Sequence, residues 1–138
     1  MKEFPRVSAC VVLYRSGEQA LETLQCLEDS RPRPEIFVVD NHSGDGLAAR
    51  VAERFPDIRL LPQAENLGFG RGNNVVLPLL HSEYHLLCNP DVTFPPELLD
   101  RMTAWMDAHP EAVILTPRVM NQDGTEQFLP KGEITVRH

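Results

Sequence analysis

The feature of this sequence that most constrains its fold is an alternation of short apolar runs with segments of helical periodicity. Apolar runs predict five strands, over residues 7–14, 35–40, 58–62, 84–88 and 112–116. Between these runs, apolar residues recur every three or four positions, which predicts amphipathic helices. Strands that alternate with helices favour an α/β fold, with a mostly parallel sheet flanked by helices on both faces. The turn sequence "NQDG" at 121–124 predicts a short antiparallel hairpin near the C-terminus.

The length and charge of the chain limit what it can bind. Its 138 residues suit one domain, and 42% hydrophobic residues are enough for a core without disulfide bonds. The 13 Lys and Arg and 20 Asp and Glu residues give a net charge of −7, without any basic stripe. Nucleic-acid binding is therefore excluded, because it needs clustered cations. An acidic chain that binds a phosphorylated ligand needs a metal ion or backbone N–H groups.

The cysteines and the first apolar run indicate a cytoplasmic protein. Cys10, Cys26 and Cys88 are odd in number and form no CxxC pair, which is typical of reduced thiols in the cytosol. Cys10 and Cys88 lie inside apolar runs, so we expect both to be buried. The run at 7–14 is too short to span a bilayer and lacks a small-residue cleavage site, so it is interpreted as a core strand.

Three polar clusters directly follow predicted strands. They are "DNHS" at 40–43, "ENLGFGRGNN" at 65–74 and "NPD" at 89–91. In a parallel sheet the carboxyl ends of the strands share one edge, and ligands bind beyond that edge. The sequence therefore predicts that the three clusters lie together and form a ligand site.

Asp40 ends the second predicted strand, and it admits two interpretations. Its carboxylate would accept hydrogen bonds from a ribose hydroxyl or a base N–H. Alternatively, it is an ordinary turn or N-cap aspartate. Ser43 and Asp45 are expected to cap the second helix rather than to contact a ligand.

The glycine-rich segment "GFGRGNN" differs from known phosphate-binding motifs. Asn73 occupies the place of the third glycine in GxGxxG, the segment follows the third strand, and no GK[ST] comes after it. We expect a loop here that leads into a helix with an apolar face at 75–80. Helix N-terminal N–H groups and Arg71 would then meet a pyrophosphate. Alternatively, the glycines only permit tight packing of the helix on the sheet.

Asn89 and Asp91 place two oxygen-bearing side chains on either side of a rigid proline. Such a spacing would present one carboxylate to Mg²⁺ or Mn²⁺ while its neighbour touches a sugar or a water. Without the preceding strand, "NPD" would be interpreted as a plain turn. His81 and His85 are four residues apart, but the chain between them passes from a helix into a strand, which argues against a zinc pair.

The three motifs "VVDNHSGDG", "ENLGFGRGNN" and "LLCNPDV", in this order, resemble the family 2 glycosyltransferases, which have a GT-A (Rossmann-like) fold. The Asn-Pro-Asp version is most similar to bacterial rhamnosyltransferase-like members that build surface polysaccharides. The resemblance covers about residues 5–127. It implies a nucleotide-sugar-binding domain over 1–127 and a tail over 128–138.

The resemblance also implies ligands and roles. The donor would be a nucleotide diphosphate sugar (a dTDP- or UDP-sugar), and its sugar would be transferred to a polysaccharide or glycan acceptor with metal assistance and inversion. Asp91 matches the last acid of the family's DxD motif and would hold Mg²⁺ or Mn²⁺ on the diphosphate. Asn89 stands where the first acid often lies, and Asp40 would contact the nucleoside. The remaining donor-binding residues are expected in the glycine-rich segment: Asn66, Gly68, Arg71 and Asn73.

The chain departs from the family pattern in two respects. Arg15 stands where asparagine is often found. Family members usually continue well past this length, and the later part carries the acceptor site and the catalytic base. Both are expected to be missing here. Asp123 and Glu126 lie at a predicted turn, which makes them poor candidates for the base. The chain would then be a fragment, a shortened member or a domain completed by another chain.

The alternative to an enzyme is a protein that binds without catalysis. The chain would then be a non-catalytic nucleotide-sugar-binding or assembly module that kept the fold and lost turnover. A homodimer, formed through apolar surface on a shortened sheet, and peripheral membrane association also stay open.

Overall fold

A computed structural model of the protein describes residues 4–127. In chain order the elements are β1 (Val7–Leu13), α1 (Gln19–Asp29), β2 (Glu35–Asp40), α2 (Leu47–Arg54), β3 (Arg59–Pro62), α3 (Gly68–Asn74), β4 (Tyr84–Cys88) and α4 (Leu98–Ala108). A short 3₁₀ turn, Leu77–Leu79, lies between α3 and β4. The predicted tail at 128–138 lies outside the described residues. Within residues 4–127, no helix combines the length and the apolar composition needed to cross a membrane.

The four strands form one parallel sheet in the order β3-β2-β1-β4. Leu13 at the end of β1 lies opposite Asp40, and Val11 lies opposite Cys88 at the end of β4. All four strands therefore end at the same edge of the sheet. The predicted α/β fold with a parallel sheet is confirmed.

Helices cover both faces of the sheet, and the order of the strands explains which helix lies where. α1, α2 and α4 pack on one face, while Val76 beyond α3 packs on the other. The chain grows from β1 to β2 to β3 in one direction and then returns across the sheet to β4. Because crossovers are right-handed, this reversal places α3 on the opposite face. β1, covered on both sides, is buried at all seven positions.

Cys10 and Cys88 are both buried, as the apolar runs around them predict. Cys10 belongs to the core on the α3 face, and Cys88 belongs to the core on the α1 face. Burial raises the pKa of each thiol to about 12. Both therefore stay protonated at neutral pH, whereas Cys26 is only half-buried.

The predicted fifth strand at 112–116 is wrong, since this segment has no strand pairing among the described residues. Val113 and Ile114 expose 87% and 84% of their surface. Along with β4 and α4 they line a cavity of about 520 Å³ beside the free edge of the sheet. An apolar run becomes a strand only when it pairs with a neighbouring strand edge, and periodicity does not reveal whether such an edge is within reach.

The predicted hairpin near the C-terminus is limited to one antiparallel bridge, between Met120 and Glu126. The turn inside it is closed by hydrogen bonds from Asn121 N to Thr125 O (2.7 Å) and from Gly124 N to Asn121 O (3.0 Å). The turn chemistry was therefore correctly interpreted, but two paired strands do not form within the described residues.

Helix α4 begins just after two prolines and carries an exposed aromatic side chain near its other end. Pro95 and Pro96 precede the helix, and Leu98 N donates to Pro95 O (3.1 Å) in the turn before it. Trp105 is 43% exposed and stacks on His109, with ring centroids 3.9 Å apart. In the last turn of α4, Asp107 accepts a hydrogen bond from Tyr84 OH of β4 (2.7 Å), so this end of the helix contacts the edge strand.

Candidate functional site

The three polar clusters lie at the same edge of the sheet, where the strands end. Asp40 is the last residue of β2, and Asn89–Asp91 follows β4. β1 lies between these two strands, so their ends are two strand spacings apart, about 10 Å. The structure therefore brings Asp40 and Asp91 to one edge of the sheet.

Asp40 combines both interpretations of its role. One oxygen, Oδ1, accepts a hydrogen bond from Ser43 N (3.2 Å), as a turn aspartate does. Within residues 4–127 the other oxygen accepts no hydrogen bond, and the side chain is half-buried. One carboxylate oxygen therefore stabilises the loop, and the other is available to a ligand.

Asn41, which sequence reasoning missed, connects two of the clusters. The side chain is 1% exposed. Its Oδ1 accepts a hydrogen bond from Leu67 N (3.3 Å), and its Nδ2 donates to Gly68 O (3.0 Å). The end of β2 is thereby joined to the first residues of α3. An amide directly after a buried strand is visible in the sequence, but its partners are 26 and 27 residues away.

The expected glycine-rich loop is itself the helix α3, which corrects the prediction that the helix begins after it. Gly68 has a φ of +81°, and its N–H donates to Asn66 Oδ1 (3.0 Å). The N–H of Leu67 is used by Asn41. Two amides at the start of the helix are thus already bonded within the protein. Fewer remain for a phosphate than the sequence suggested, and Arg71 is exposed on the same helix.

Gly72 and Asn73 face the sheet. A Cβ on Gly72 would lie 2.9 Å from Val12 Cγ1, so the tight-packing interpretation holds at this glycine. Asn73 is 6% exposed and donates through Nδ2 to Phe69 O (3.0 Å). Its Oδ1 is buried and has no hydrogen-bond partner among residues 4–127. Asn73 is therefore buried against the sheet, whereas Arg71 on the same helix is exposed.

The Asn89–Asp91 turn exposes both of its polar side chains and is anchored on each side. Before it, Cys88 is buried in the core. After it, the backbone of Val92 is bonded on both sides to one buried side chain, Thr23 of α1. The anchoring residue Thr23 was not identified from the sequence.

Ser43 joins the loops after β1 and β2. Its Oγ accepts from Arg15 N (3.2 Å) and donates to Leu13 O (3.4 Å). The prediction that Ser43 caps α2 is therefore wrong, whereas Asp45 does cap it by accepting from Leu47 N (3.1 Å). Two non-glycine residues beside Ser43, Arg15 and His42, have positive φ angles of 50° and 59°. Such conformations cost about 1–3 kcal/mol each and concentrate at functional sites.

The side chains present fit a metal ion of the magnesium type. Across residues 4–127, no three or more His, Cys, Asp or Glu side chains gather as a metal cluster. Asp91 is exposed and forms no ion pair with another described residue. Mg²⁺ and Mn²⁺ are commonly bound by one or two carboxylates together with waters and substrate phosphates. One free carboxylate is compatible with that chemistry.

The two histidines considered for zinc have other partners. His81 stacks on Phe4, with ring centroids 4.8 Å apart. His85 Nδ1 is 2.7 Å from Ser8 Oγ, on the neighbouring strand. The two imidazoles therefore contribute to packing and to a hydrogen bond inside the sheet.

Comparison with known proteins identifies a family. The family described as "Glycosyl transferase family 2" matches residues 8–136. N-acetylglucosaminyl-diphospho-decaprenol L-rhamnosyltransferase from two strains of Mycobacterium tuberculosis is 29% identical over 126 residues, which cover 83% of this chain. The match covers 41% of the relative, so the chain spans less than half the length of these curated relatives.

Solved structures agree in fold. TarS from S. aureus superposes with a TM-score of 0.67 at 25% identity, over 76% of this chain and 33% of that chain. The same protein has been solved in complex with UDP-GlcNAc and with UDP. The mannosyltransferase PcManGT from Pyrobaculum calidifontis, in complex with GDP-Man and Mn²⁺, has a TM-score of 0.66 at 27% identity, over 74% of this chain and 32% of that chain. Together with the family match over nearly the whole chain, these likenesses show that the chain belongs to glycosyltransferase family 2.

Proposed function

We propose that this chain is the donor-binding part of a glycosyltransferase that moves a sugar from a nucleotide diphosphate sugar to a glycan acceptor. The observation that carries the proposal is the placement of Asp40 and Asp91 on either side of β1, at one edge of a parallel sheet. Related structures bind UDP, UDP-GlcNAc or GDP-Man. These ligands support a UDP- or dTDP-sugar as the donor class.

Each residue at the edge receives a role from its chemistry. Asp40 accepts hydrogen bonds from the nucleoside through the oxygen that Ser43 leaves free. Asp91 holds Mg²⁺ or Mn²⁺, and Asn89 beside it touches the sugar or a metal-bound water. Arg71, exposed on α3, meets the diphosphate.

The glycine-rich segment forms the wall of the site. Asn66 and Gly68 shape the start of α3 through their mutual hydrogen bond. Asn73 is buried between α3 and the sheet and helps to hold the helix in place. In this proposal these three residues support the donor site through the backbone rather than through exposed side chains.

The reaction needs stabilisation of the leaving group and a base. As the bond to the nucleotide diphosphate breaks, negative charge grows on its phosphate oxygens, and a divalent cation stabilises that charge. Inversion at the anomeric carbon needs a carboxylate to take the acceptor proton. Hydrogen bonds from the Thr125 hydroxyl and backbone N–H lower the pKa of Asp123, which weakens it as a base. We therefore do not assign the base to Asp123.

Titration calorimetry with UDP, dTDP, UDP-GlcNAc and dTDP-rhamnose, with and without Mn²⁺, tests the proposal. We expect binding that Mn²⁺ strengthens. Failure of every nucleotide to bind at millimolar concentration would contradict the proposed function.

A binding or assembly module without turnover is the second candidate, because the chain spans less than half the length of its curated relatives. It predicts donor binding without any release of nucleotide diphosphate over hours. Release of UDP or dTDP from a bound sugar nucleotide, measured by chromatography, would exclude this candidate and favour the enzyme.

The cellular setting is also part of the proposal. Three free cysteines support a cytoplasmic protein. The name of the mycobacterial relative contains decaprenol, so an acceptor of that kind would bring the site to a membrane surface. Leu87, 58% exposed on the edge strand, and the exposed Val113 and Ile114 would support a homodimer. Light scattering and sedimentation with lipid vesicles measure these two associations.

A further inference from the structure

We infer that Thr23, a buried residue of α1, is a positioning residue for Asp91: it binds the backbone of Val92 and so fixes where the Asp91 carboxylate stands at the edge of the sheet. The inference rests on the proposed function, since it concerns the carboxylate assigned to the metal. It adds a residue from a different element, 68 positions earlier in the chain.

The hydroxyl of Thr23 satisfies both backbone polar groups of one residue. Thr23 is fully buried. Val92 N donates to Thr23 Oγ1 (3.1 Å), and Thr23 Oγ1 donates to Val92 O (2.7 Å). The alternative acceptor within the helix, Gln19 O, lies farther away at 3.3 Å. The shorter distance indicates that the hydroxyl is directed at Val92 rather than back at its own helix.

Val92 lies beyond the end of β4, where no neighbouring strand bonds its backbone in the described part of the chain. Without Thr23, its N–H and C=O would lack these partners in a part-buried place, at a cost of about 1–3 kcal/mol for each group. The two hydrogen bonds therefore restrict both the position and the rotation of this peptide segment.

Packing supports the same restraint. The side chains of Val92 and Phe94 pack against the core, whereas those of Asp91 and Thr93 are exposed. The segment therefore directs alternate side chains inward and outward. Only Asn89, Pro90 and Asp91 separate the buried Cys88 from the anchored Val92, so little freedom remains for the carboxylate.

The amino acid at position 23 is itself unusual. Ala20, Leu24 and Leu27 form the buried apolar stripe of α1, and Thr23 lies among them. Threonine is a weaker helix former than alanine or leucine, and a buried hydroxyl is costly without a partner. The two hydrogen bonds to Val92 explain why a polar residue occupies this otherwise apolar position.

The expected consequence concerns the metal. A cation bound through one protein carboxylate and a diphosphate depends on where that carboxylate stands, and residues that orient a metal ligand typically contribute about 10–100-fold to metal affinity. Loss of the Thr23 hydroxyl should therefore weaken metal-assisted binding. Binding of the nucleoside, which depends on Asp40, should change little.

Thr23→Val removes the hydroxyl and keeps the shape of the side chain, whereas Thr23→Ser keeps the hydroxyl. UDP and dTDP binding are measured by calorimetry with and without Mn²⁺. We expect Thr23→Val to weaken binding in Mn²⁺ by about tenfold or more, to leave metal-free binding nearly unchanged, and Thr23→Ser to restore the wild-type value. In an Asp91→Asn background, Thr23→Val should have no further effect.

Thr103→Val is the matched control. Thr103 is also a buried threonine on a helix, but its hydroxyl donates to Asp100 O in its own helix (3.0 Å), away from the edge. We expect Thr103→Val to leave the response to Mn²⁺ unchanged. If Thr23→Val does not fold, as judged by circular dichroism, Thr23→Ala is measured in its place.

Two results would overturn the inference alone: Mn²⁺-dependent binding that survives loss of the hydroxyl, or binding that weakens equally with and without Mn²⁺. The second result would indicate a purely structural role. Failure of the wild-type protein to bind any nucleotide is a different outcome, which would reject the proposed function and this inference together.

Discussion

The Asn41 amide lies directly against Gly72, with its Nδ2 3.1 Å from the position that a Cβ on Gly72 would occupy. Asn41 also bonds the backbone of Leu67 and Gly68, so one side chain contacts both the start and the later part of α3. The absence of a side chain at position 72 allows the helix to approach β1 this closely. The end of β2, the helix and β1 therefore form one packed unit at the candidate site.

Substitution of Gly72 tests this close approach. In Gly72→Ala the new methyl group would lie 2.9 Å from Val12 Cγ1, and overpacking of this kind typically costs about 1–3 kcal/mol. Urea denaturation measures the loss. Gly70→Ala, in the same helix with nothing within 4 Å of its Cβ, is the control and should be neutral or stabilising. Equal stability of the two variants would contradict the close approach.

A substitution at Asn41 tests the connection between β2 and α3. Asn41→Asp keeps an acceptor for Leu67 N–H but loses the donor to Gly68 O and directs a buried carboxylate at a carbonyl. We expect a loss of about 2 kcal/mol or more in the free energy of unfolding. Asn74 is an exposed residue of α3, and Asn74→Asp should change stability little. A comparable loss in both variants would show that the added negative charge, rather than the lost hydrogen bond, is responsible.

Asp91 and Asp57 provide a matched pair for the metal. Both are exposed, but Asp91 follows β4, whereas Asp57 precedes β3 and lies at the opposite edge of the sheet. We expect Asp91→Asn to reduce UDP binding in Mn²⁺ to its metal-free level, because a neutral amide is a poor ligand for this hard cation. Asp57→Asn should bind like the wild type in calorimetry. Full Mn²⁺ dependence in Asp91→Asn would remove Asp91 from the metal role.

His85 should make stability depend on pH. Burial lowers the pKa of its imidazole below the ordinary value of 6.5, so the folded state favours the neutral ring. The unfolded state then takes up a proton first as the pH falls. Stability from this group is complete above about pH 6.5 and is lost as the pH falls towards the folded-state pKa. Denaturation midpoints at several pH values measure this slope.

The variants of this test are His85→Gln and His42→Asn. His85→Gln should show a smaller loss of stability than the wild type between about pH 7 and pH 5, because it cannot take up the proton. His42 is exposed, and asparagine tolerates its positive φ, so His42→Asn should keep the wild-type slope. An unchanged slope in His85→Gln would show that His85 is not the responsible group.

The three thiols should differ in reactivity. Burial raises the pKa of Cys10 and of Cys88 to about 12, so neither forms a thiolate readily near neutral pH, and neither is accessible. The half-buried Cys26 should therefore be the thiol that iodoacetamide modifies first in the native protein. Peptide mass spectrometry identifies the labelled residue. Cys26→Ser should abolish the fast reaction, and early label on Cys10 or Cys88 would contradict the packed core.

Local patterns were sufficient for most of the regular elements and for the edge that carries the site. The four strands and helices α1, α2 and α4 follow from short apolar runs and from periodicity over a few residues, which are properties of neighbouring positions. Asp40 and Asp91 could be assigned to one edge because each directly follows a strand and parallel strands end together. Their roles in binding are still predictions.

Contacts between distant segments required the folded chain. The run at 112–116 has the composition of a strand but has no pairing partner in the described chain. The helix formed by the glycine-rich segment packs against Val12 and is hydrogen-bonded by Asn41. Thr23 bonds a residue 69 positions away, and no periodicity encodes that distance. Apolar pattern and turn chemistry are local and therefore readable in order along the chain. Hydrogen bonds and close packing between separate segments depend on which surfaces meet, and that is settled only when the whole chain packs.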